Sequence, residues 1–476
     1  MDREQTHMHN NGMTGKGAEA KKTKAKETAA NVTKELLIFT LPLILSGLFQ
    51  QLFNWVDAFI VGNIEGELAL AGIGATTALY NLFVTIITGF TSGLAVLAAQ
   101  YYGRGEKKKI TGILASYSIM LGVLFAVIAL TGIIFSENIL CLLDTPENIF
   151  ASAEGYLRIL LIGIPFLAVY NTYSAVLRGV GNSRAPFLAV LVSSAVNVVL
   201  DIFFVAVLGW GAPGAAAATA LSQAAMTIFV IFYAVKNYPI LRFRIFTGRP
   251  QENDRQVRCN SGLVKQGAKF GFPPAIQSGV SSVGSVFLQH FMNGFGEQTV
   301  AAITTAYRVD TVIFLPIINL GSGIATIVAQ NIGAGDKKHA RRVFRAGTVI
   351  MTAVSLGLTA IVLVFGTHLI AMFGLTSESV VIGSRFFHSI ASFYLIYGLS
   401  MAIRGYLEGT GDMIFSGVTG ILALLVRIIC SYALEPVFSN MVVAYAEAFS
   451  WMFLLAILLL RYLWKRKSDA DVSVGE

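Results

Sequence analysis

Long apolar stretches separated by short polar breaks recur along the whole chain. Ile110 to Phe135 holds no charged residue, which is long enough to cross a hydrocarbon core of about 30 Å as a helix. Apolar length and polar breaks predict about twelve such spans. In the first half they are 35–62, 74–101, 110–135, 150–176, 186–208 and 213–235. In the second they are 264–292, 302–331, 342–373, 379–404, 413–434 and 437–462. The pattern is that of an all-α polytopic membrane protein.

Two blocks within this pattern nearly coincide. Ser92 to Lys109 reads SGLAVLAAQYYGRGEKKK and Ser322 to His339 reads SGIATIVAQNIGAGDKKH, 230 positions apart in a chain of 476 residues. Leu177-Arg178-Gly179 is echoed by Ile403-Arg404-Gly405, and Gly179-x-Gly181 by Gly409-x-Gly411. A repeat of this length predicts two related lobes of six helices each. Because six is even, the copies share one orientation and are related by a pseudo-two-fold axis along the membrane normal. The expected layout is a disordered cytoplasmic tail (1–33), a first lobe (34–235), a cytoplasmic connector (236–263), a second lobe (264–464) and a cytoplasmic tail (465–476). The tail does not read as a signal peptide, because the apolar segment starts late and runs long.

Composition agrees. Hydrophobic residues make up 55% and charged residues 13%, against about 25% charged in soluble domains, and mean hydropathy is +0.67. The net charge of +8 does not indicate nucleic acid, because the basic residues gather at alternate loops. Arg104 and Lys107–Lys109, Arg178 and Arg184, Lys236 to Arg258, and Lys337 to Arg342 follow the even-numbered spans, and Arg461 to Lys467 end the last. Glu65, Glu67, Glu137, Asp144, Glu147, Glu297, Glu378 and Glu435 occupy the opposite loops. The positive-inside rule then puts both termini in the cytoplasm of a cell-membrane protein. Cys141, Cys259 and Cys430 have no metal or redox spacing. Neither a phosphate-binding loop nor a nucleophile elbow occurs, so no enzyme and no cofactor is expected, and an ion gradient is the natural energy source.

Charges inside spans carry the chemistry, because a mid-membrane carboxylate is costly unless it faces a cavity or a partner. Asp57 lies late in the first span and Asp201 within the fifth. Asn197 and Asp201, at i and i+4, share a helix face. An amide oxygen beside a carboxylate suits a bound cation or a hydrogen-bonded proton carrier; a bond to a neighbouring helix is the plainer account.

LPLILSGLFQQLFNWVDAFIVGNIEG at 41–66, the two AQxxGxG blocks, LRGVGNSRAPF at 177–187 and NVVLDIFFV at 197–205 together resemble the multidrug and toxic compound extrusion (MATE) family over residues 34–465. The resemblance implies a two-lobed, twelve-helix antiporter that exports organic cations or other amphipathic compounds against H⁺ or Na⁺. One branch of that family holds its coupling site in the first lobe, and its pattern falls here on Asp57, Asn197, Asp201 and Thr219. The first-helix proline whose bend is tied to protonation in that branch matches Pro42; a simple kink or first-turn proline is the alternative. Another branch has acids in the seventh and tenth helices, where this chain has none.

The second lobe departs from the first at the matching positions. Arg427 stands where the repeat has Asn197, Ser431 where it has Asp201, and Glu447 where it has Thr219. Arg427 and Glu447 are therefore a candidate structural ion pair, unless Arg427 reaches a headgroup. Arg308 and Asp310 are expected at the interface, and Arg158 is expected to snorkel or brace a helix end. Phe53, Trp55, Phe59, Tyr80, Phe83 and Phe166 are candidate cavity-lining residues. The expected partners are small amphipathic or cationic substrates and membrane lipid, with H⁺ or Na⁺ as coupling ion and a monomer as working unit. The rival reading is a lipid-linked saccharide flippase of the same superfamily. An anionic lipid would call for several basic residues in the central cavity, and intramembrane lysine is scarce. A channel or a receptor lacks, respectively, ion-coupled exchange and room for a signalling domain.

Overall fold

The computed structural model describes residues 5–64, 66–242 and 261–474, with side chains placed from Ala30 to Lys467 except those of Phe53, Ala58 and residues 67–70. Much of the expected tails and connector lies outside these limits. The first half contains α1 (Gln5–Ile64), α2 (Glu67–Gly103), α3 (Lys107–Ile134), α4 (Ser136–Leu142), α5 (Glu147–Gly179), α6 (Arg184–Asp201) and α7 (Gly211–Asn237). The second contains α8 (Ser261–Asn293), α9 (Glu297–Ile313), α10 (Leu315–Gly333), α11 (Lys337–Ala371), α12 (Ser377–Ala391), α13 (Tyr394–Gly409), α14 (Met413–Phe438) and α15 (Val442–Val474).

Among the described residues, nine helical stretches are long and apolar enough to cross a membrane, ten when α12 and α13, bent by 46°, are taken as one broken span. α9 and α10 form a single stretch interrupted at Phe314, where Pro316 opens α10 without an N–H to give. The stretch Met413–Lys467 is two antiparallel helices: the chain turns at Ser439, which has φ 51°, and α15 packs back on α14. α8 is as long as the others but holds Lys265, Lys269 and the pair Pro273-Pro274, which lower its hydropathy. Together these make the twelve-helix, two-lobe architecture expected from the repeat.

The repeated glycine blocks have a physical basis. α2 and α10 cross so closely that a Cβ on Gly103 would sit 1.9 Å from the Gln330 carbonyl oxygen, and one on Gly333 2.1 Å from that of Gln100. Small residues allow such approach between membrane helices. The second glycine of each pair has a different task. Gly105, Gly335, Gly181 and Gly411 take φ of 72°, 80°, 92° and 93°, a left-handed conformation that ends the helix and suits glycine best. The glutamines of the blocks bridge the lobes symmetrically. Gln100 Nε2 donates to the Gly409 carbonyl at 3.1 Å, and Gln330 Nε2 to that of Gly179 at 2.9 Å. The early part of α1 joins the same contact, with Leu36, Phe39 and Leu43 buried among Ile317, Leu320 and Ile324 of α10. The lobes thus meet at their Lys/Arg-rich ends.

Candidate ion-coupling and substrate sites

Asn197 and Asp201 are fully buried on one face of α6. Directly after Asp201 the helix widens into a π-turn from Ile202 to Val207, a distortion frequent at functional sites. Ring stacking of Phe204 on Trp210, 5.0 Å apart, closes the turn that follows. The carboxyl of Asp57, from α1, faces that of Asp201. Thr219 is buried on α7, which packs against α6.

The four residues expected from the sequence therefore lie on three mutually packed helices, and the structure adds three more. Tyr80 from α2 and Tyr156 from α5 stand beside the two aspartates. Gln223, one turn beyond Thr219, donates Nε2 to the Tyr80 hydroxyl at 2.5 Å. Gln223 was findable as the i+4 neighbour of Thr219. Tyr156 carried no sequence signal, because its neighbours come from distant helices.

Polar atoms in this cluster are left over. Asp57 Oδ1, both carboxylate oxygens of Asp201, both amide atoms of Asn197, Thr219 Oγ1 and Gln223 Oε1 are shut off from solvent without a hydrogen-bond partner. Buried polar groups are normally paired, so a set of unpaired oxygens around two facing carboxyls suits a shared proton or a small cation. Among the described residues no three histidine, cysteine or acidic side chains gather as metal ligands; a cation here would rely on neutral oxygens for the rest of its shell. Pro42 lies inside α1, which continues through it.

The corresponding region of the second lobe is internally paired. Arg427 Nη2 is 2.9 Å from Glu447 Oε2 and 2.7 Å from the Tyr307 hydroxyl, which donates to Glu447 at 3.0 Å. Arg427 thus turns inward rather than to a headgroup. Asp310 corrects the interfacial expectation: it is 2% exposed and accepts a hydrogen bond from Tyr394, while its Oδ2 is unpartnered. The reason is the break at Phe314, which puts Asp310 in the last turn of α9, inside the lobe. Arg158 braces α5 through Glu154 at 2.7 Å and Ser136 at 2.8 Å.

Trp55, Phe59, Tyr80, Phe83 and Phe166 do not border the cavity between the lobes. Trp55, Phe59 and Phe166 are exposed, Phe83 packs against the first-lobe core, and Tyr80 belongs to the acid cluster. The side chain of Phe53 lies outside the described residues. That cavity, of 470 Å³, has a mixed wall, in which Gln50, Thr88, Ser92, Asn171, Ser174, Asn319 and Ser322 stand beside Leu43, Leu315, Ile318 and Met401. Arg178, Arg404 and Glu408 also face it, so the expected scarcity of cavity cations holds for lysine and not for arginine. In the sequence Arg178 reads as a loop residue and Arg404 as the last residue of its span. The helices run on to Gly179 and Gly409, and Cβ atoms tilt toward the helix N-terminus, which directs both arginines back into the membrane interior.

The MatE family model matches residues 42–203 and 273–433, one segment in each lobe. The probable multidrug resistance protein YpnP of Bacillus subtilis (strain 168) is 29% identical over 81% of this chain and 84% of its own length. The probable multidrug resistance protein YoeA of the same organism is 27% identical over 93% of this chain and 96% of its own. Among solved structures, a multidrug resistance MATE family transporter of the MOP superfamily in an outward-facing conformation superposes with a TM-score of 0.83 at 19% identity, covering 93% of this chain and 97% of its own. Two matched lobes, a shared fold and a family model that spans most of the sequence agree: this chain belongs to the MATE family of transporters, which are not enzymes.

Proposed function

We propose that the protein is a secondary antiporter of the cell membrane that exports organic cations or other amphipathic compounds in exchange for H⁺ or Na⁺. The observation that carries the reading is the Asp57–Asp201 pair, two facing carboxyls with oxygens that no protein group satisfies. Like charges so placed are relieved when a proton or a cation enters. Entry neutralises the cluster, and α1, which supplies Asp57 and also packs on α10, is the element able to pass that change to the lobe contact. The multidrug names of the relatives support a small-molecule cargo.

In the cycle, the lobes rock between a state closed at the Lys/Arg-rich ends and one open there. Orientation of those ends toward the cytoplasm follows the positive-inside rule. Each monovalent ion moving inward contributes about 2.3 kcal/mol per 100 mV of membrane potential, besides its concentration gradient.

The test is ethidium efflux from cells or inverted vesicles carrying the wild type or Asp57→Asn, under separately imposed pH and Na⁺ gradients. Efflux that follows one gradient and is lost in the variant is the expected result and names the ion. A folded protein that moves none of a panel of dyes under either gradient overturns the proposal.

A further inference from the structure

We propose that Arg178 is an anion-binding group at the base of the interlobe cavity, and that the cavity accepts amphipathic compounds bearing a carboxylate. The proposal rests on the transport reading above and specifies a substrate class for it.

Three charged side chains face the cavity: Arg178, Arg404 and Glu408. Two of them satisfy each other. Arg404 Nε lies 2.7 Å from Glu408 Oε1, and Arg404 Nη2 donates to Gln277 Oε1 at 2.5 Å. Glu408 also accepts from the Ser416 hydroxyl at 2.6 Å. Arg178 has no such arrangement. It makes no hydrogen bond or ion pair with the described residues, and its Nε is shut off from solvent without a partner. The cavity wall therefore carries one uncompensated positive charge.

The repeat shows how this asymmetry arose. With Gly179 matched to Gly409, the repeat sets Ser174 against Arg404 and Arg178 against Glu408. The second lobe therefore has both members of an i,i+4 ion pair, whereas in the first the residue four before Arg178 is the uncharged Ser174. Asn182, just beyond the end of α5, is turned away: its amide nitrogen donates to Tyr238 at 2.8 Å and its oxygen accepts from the Ala185 N–H at 3.0 Å. The guanidinium is left to the cavity.

The chemistry of that group selects a carboxylate. A guanidinium is planar, stays charged, and offers paired donors that match two carboxylate oxygens. An unpaired cation within the membrane is costly, so an anionic group that fits is strongly favoured. Ser174, one turn earlier on α5, supplies a further hydroxyl on the same wall. Leu43, Leu315, Ile318 and Met401 give an apolar surface for the organic body, and 470 Å³ lies within the about 300–1,000 Å³ of drug-sized pockets. Asp57 and Asp201 are not among the residues lining this cavity, so cargo anion and coupling ion do not compete for one site.

The test compares tetramethylrhodamine, which has a free carboxylate, with its methyl ester, by fluorescence anisotropy in phosphatidylcholine nanodiscs. In the wild type the acid binds more tightly than the ester. Arg178→Gln lowers affinity for the acid on the order of tenfold, the loss of one charge-assisted contact, and leaves the ester unchanged; Arg178→Lys retains part of the preference. Equal loss for both dyes, or none, overturns the proposal. If Arg178→Gln does not fold, Glu408→Gln takes its place: it frees Arg404 and should tighten acid binding, and unchanged binding counts against the proposal. Loss of the preference when phosphatidylglycerol is included assigns the fork to a lipid headgroup and also overturns it. Gradient-driven ethidium efflux by the wild type, measured separately, separates failure of this subsite from failure of the transport reading.

Discussion

Arg427 and Glu447 offer a quantitative check on how the second lobe is held together. Their side chains are 21% and 10% exposed, and the Tyr307 hydroxyl closes the group from the side. Arg427→Met removes the cation and leaves Glu447 as an uncompensated carboxylate in the lobe interior. Breaking a buried pair from one side costs about 3–5 kcal/mol, whereas replacing both partners by apolar residues is near neutral. With about 2–4 °C of melting temperature per kcal/mol for a unit of roughly 200 residues, Arg427→Met should lower Tm by about 6–20 °C. The double variant Arg427→Met/Glu447→Leu should recover most of this loss. Tyr307→Phe removes hydrogen bonds to two charged groups and should cost about 1.5–3 kcal/mol. Loss of the monodisperse peak on size exclusion after heating in detergent reads all three. A single variant that melts with the wild type, or a double variant as unstable as the single, refutes the reasoning. Because the pair stands in the other lobe from Asp57 and Asp201, the double variant should keep its coupling ion.

Three further outcomes follow from the contacts between and within lobes. Gly103→Val places side-chain carbon against the Gln330 carbonyl, which a Cβ alone already approaches to 1.9 Å; it should force the lobes apart at the Lys/Arg-rich ends. The measurement is faster labelling of a cysteine at Ser322 by an impermeant thiol reagent from that side. Gln100→Ala combined with Gln330→Ala removes both bridging amides and should raise the same labelling rate, with each single variant giving about half the effect in free energy. Asp310→Ala leaves the buried Tyr394 hydroxyl without its acceptor and should cost about 1–3 kcal/mol; Asp310→Asn, which keeps an acceptor oxygen, should cost less in the same melting assay.

Much of the architecture was legible because the bilayer imposes it. Twelve spans follow from apolar length, and two lobes from a repeat whose glycines prove to be a close crossing and a left-handed turn. The acid cluster was legible in part: a carboxylate in an apolar span is conspicuous, and Asn197 with Asp201 shares a face by helix geometry alone. What sequence spacing does not encode is which face of a helix meets which neighbour. That gap explains why Tyr156 was missed. It also explains Arg178 and Arg404, which stand at helix ends in the sequence and point inward in the fold. Asp310 was misplaced for another reason, since a helix break inside a span has little effect on hydropathy.

The two copies of the repeat diverge in a patterned way. Positions at the lobe contact remain matched: Gly103 with Gly333, Gln100 with Gln330, Gly179 with Gly409. Other positions differ in charge: Asn197 and Asp201 against Arg427 and Ser431, Arg178 against Glu408. Rocking two bodies about a shared axis needs a contact that both bodies build in the same way, so those residues stay paired by symmetry. Coupling needs one ion site that changes state during the cycle, and one cargo site that does not cancel its own charge. In this chain the first lobe keeps the facing carboxyls and the unpaired arginine, while the second lobe ties Arg404 to Glu408 and Arg427 to Glu447 and leaves Asp310 half-partnered. In the proposed cycle the Arg427–Glu447 pair then serves to hold the second lobe together, and its exchange for apolar residues should leave transport in place.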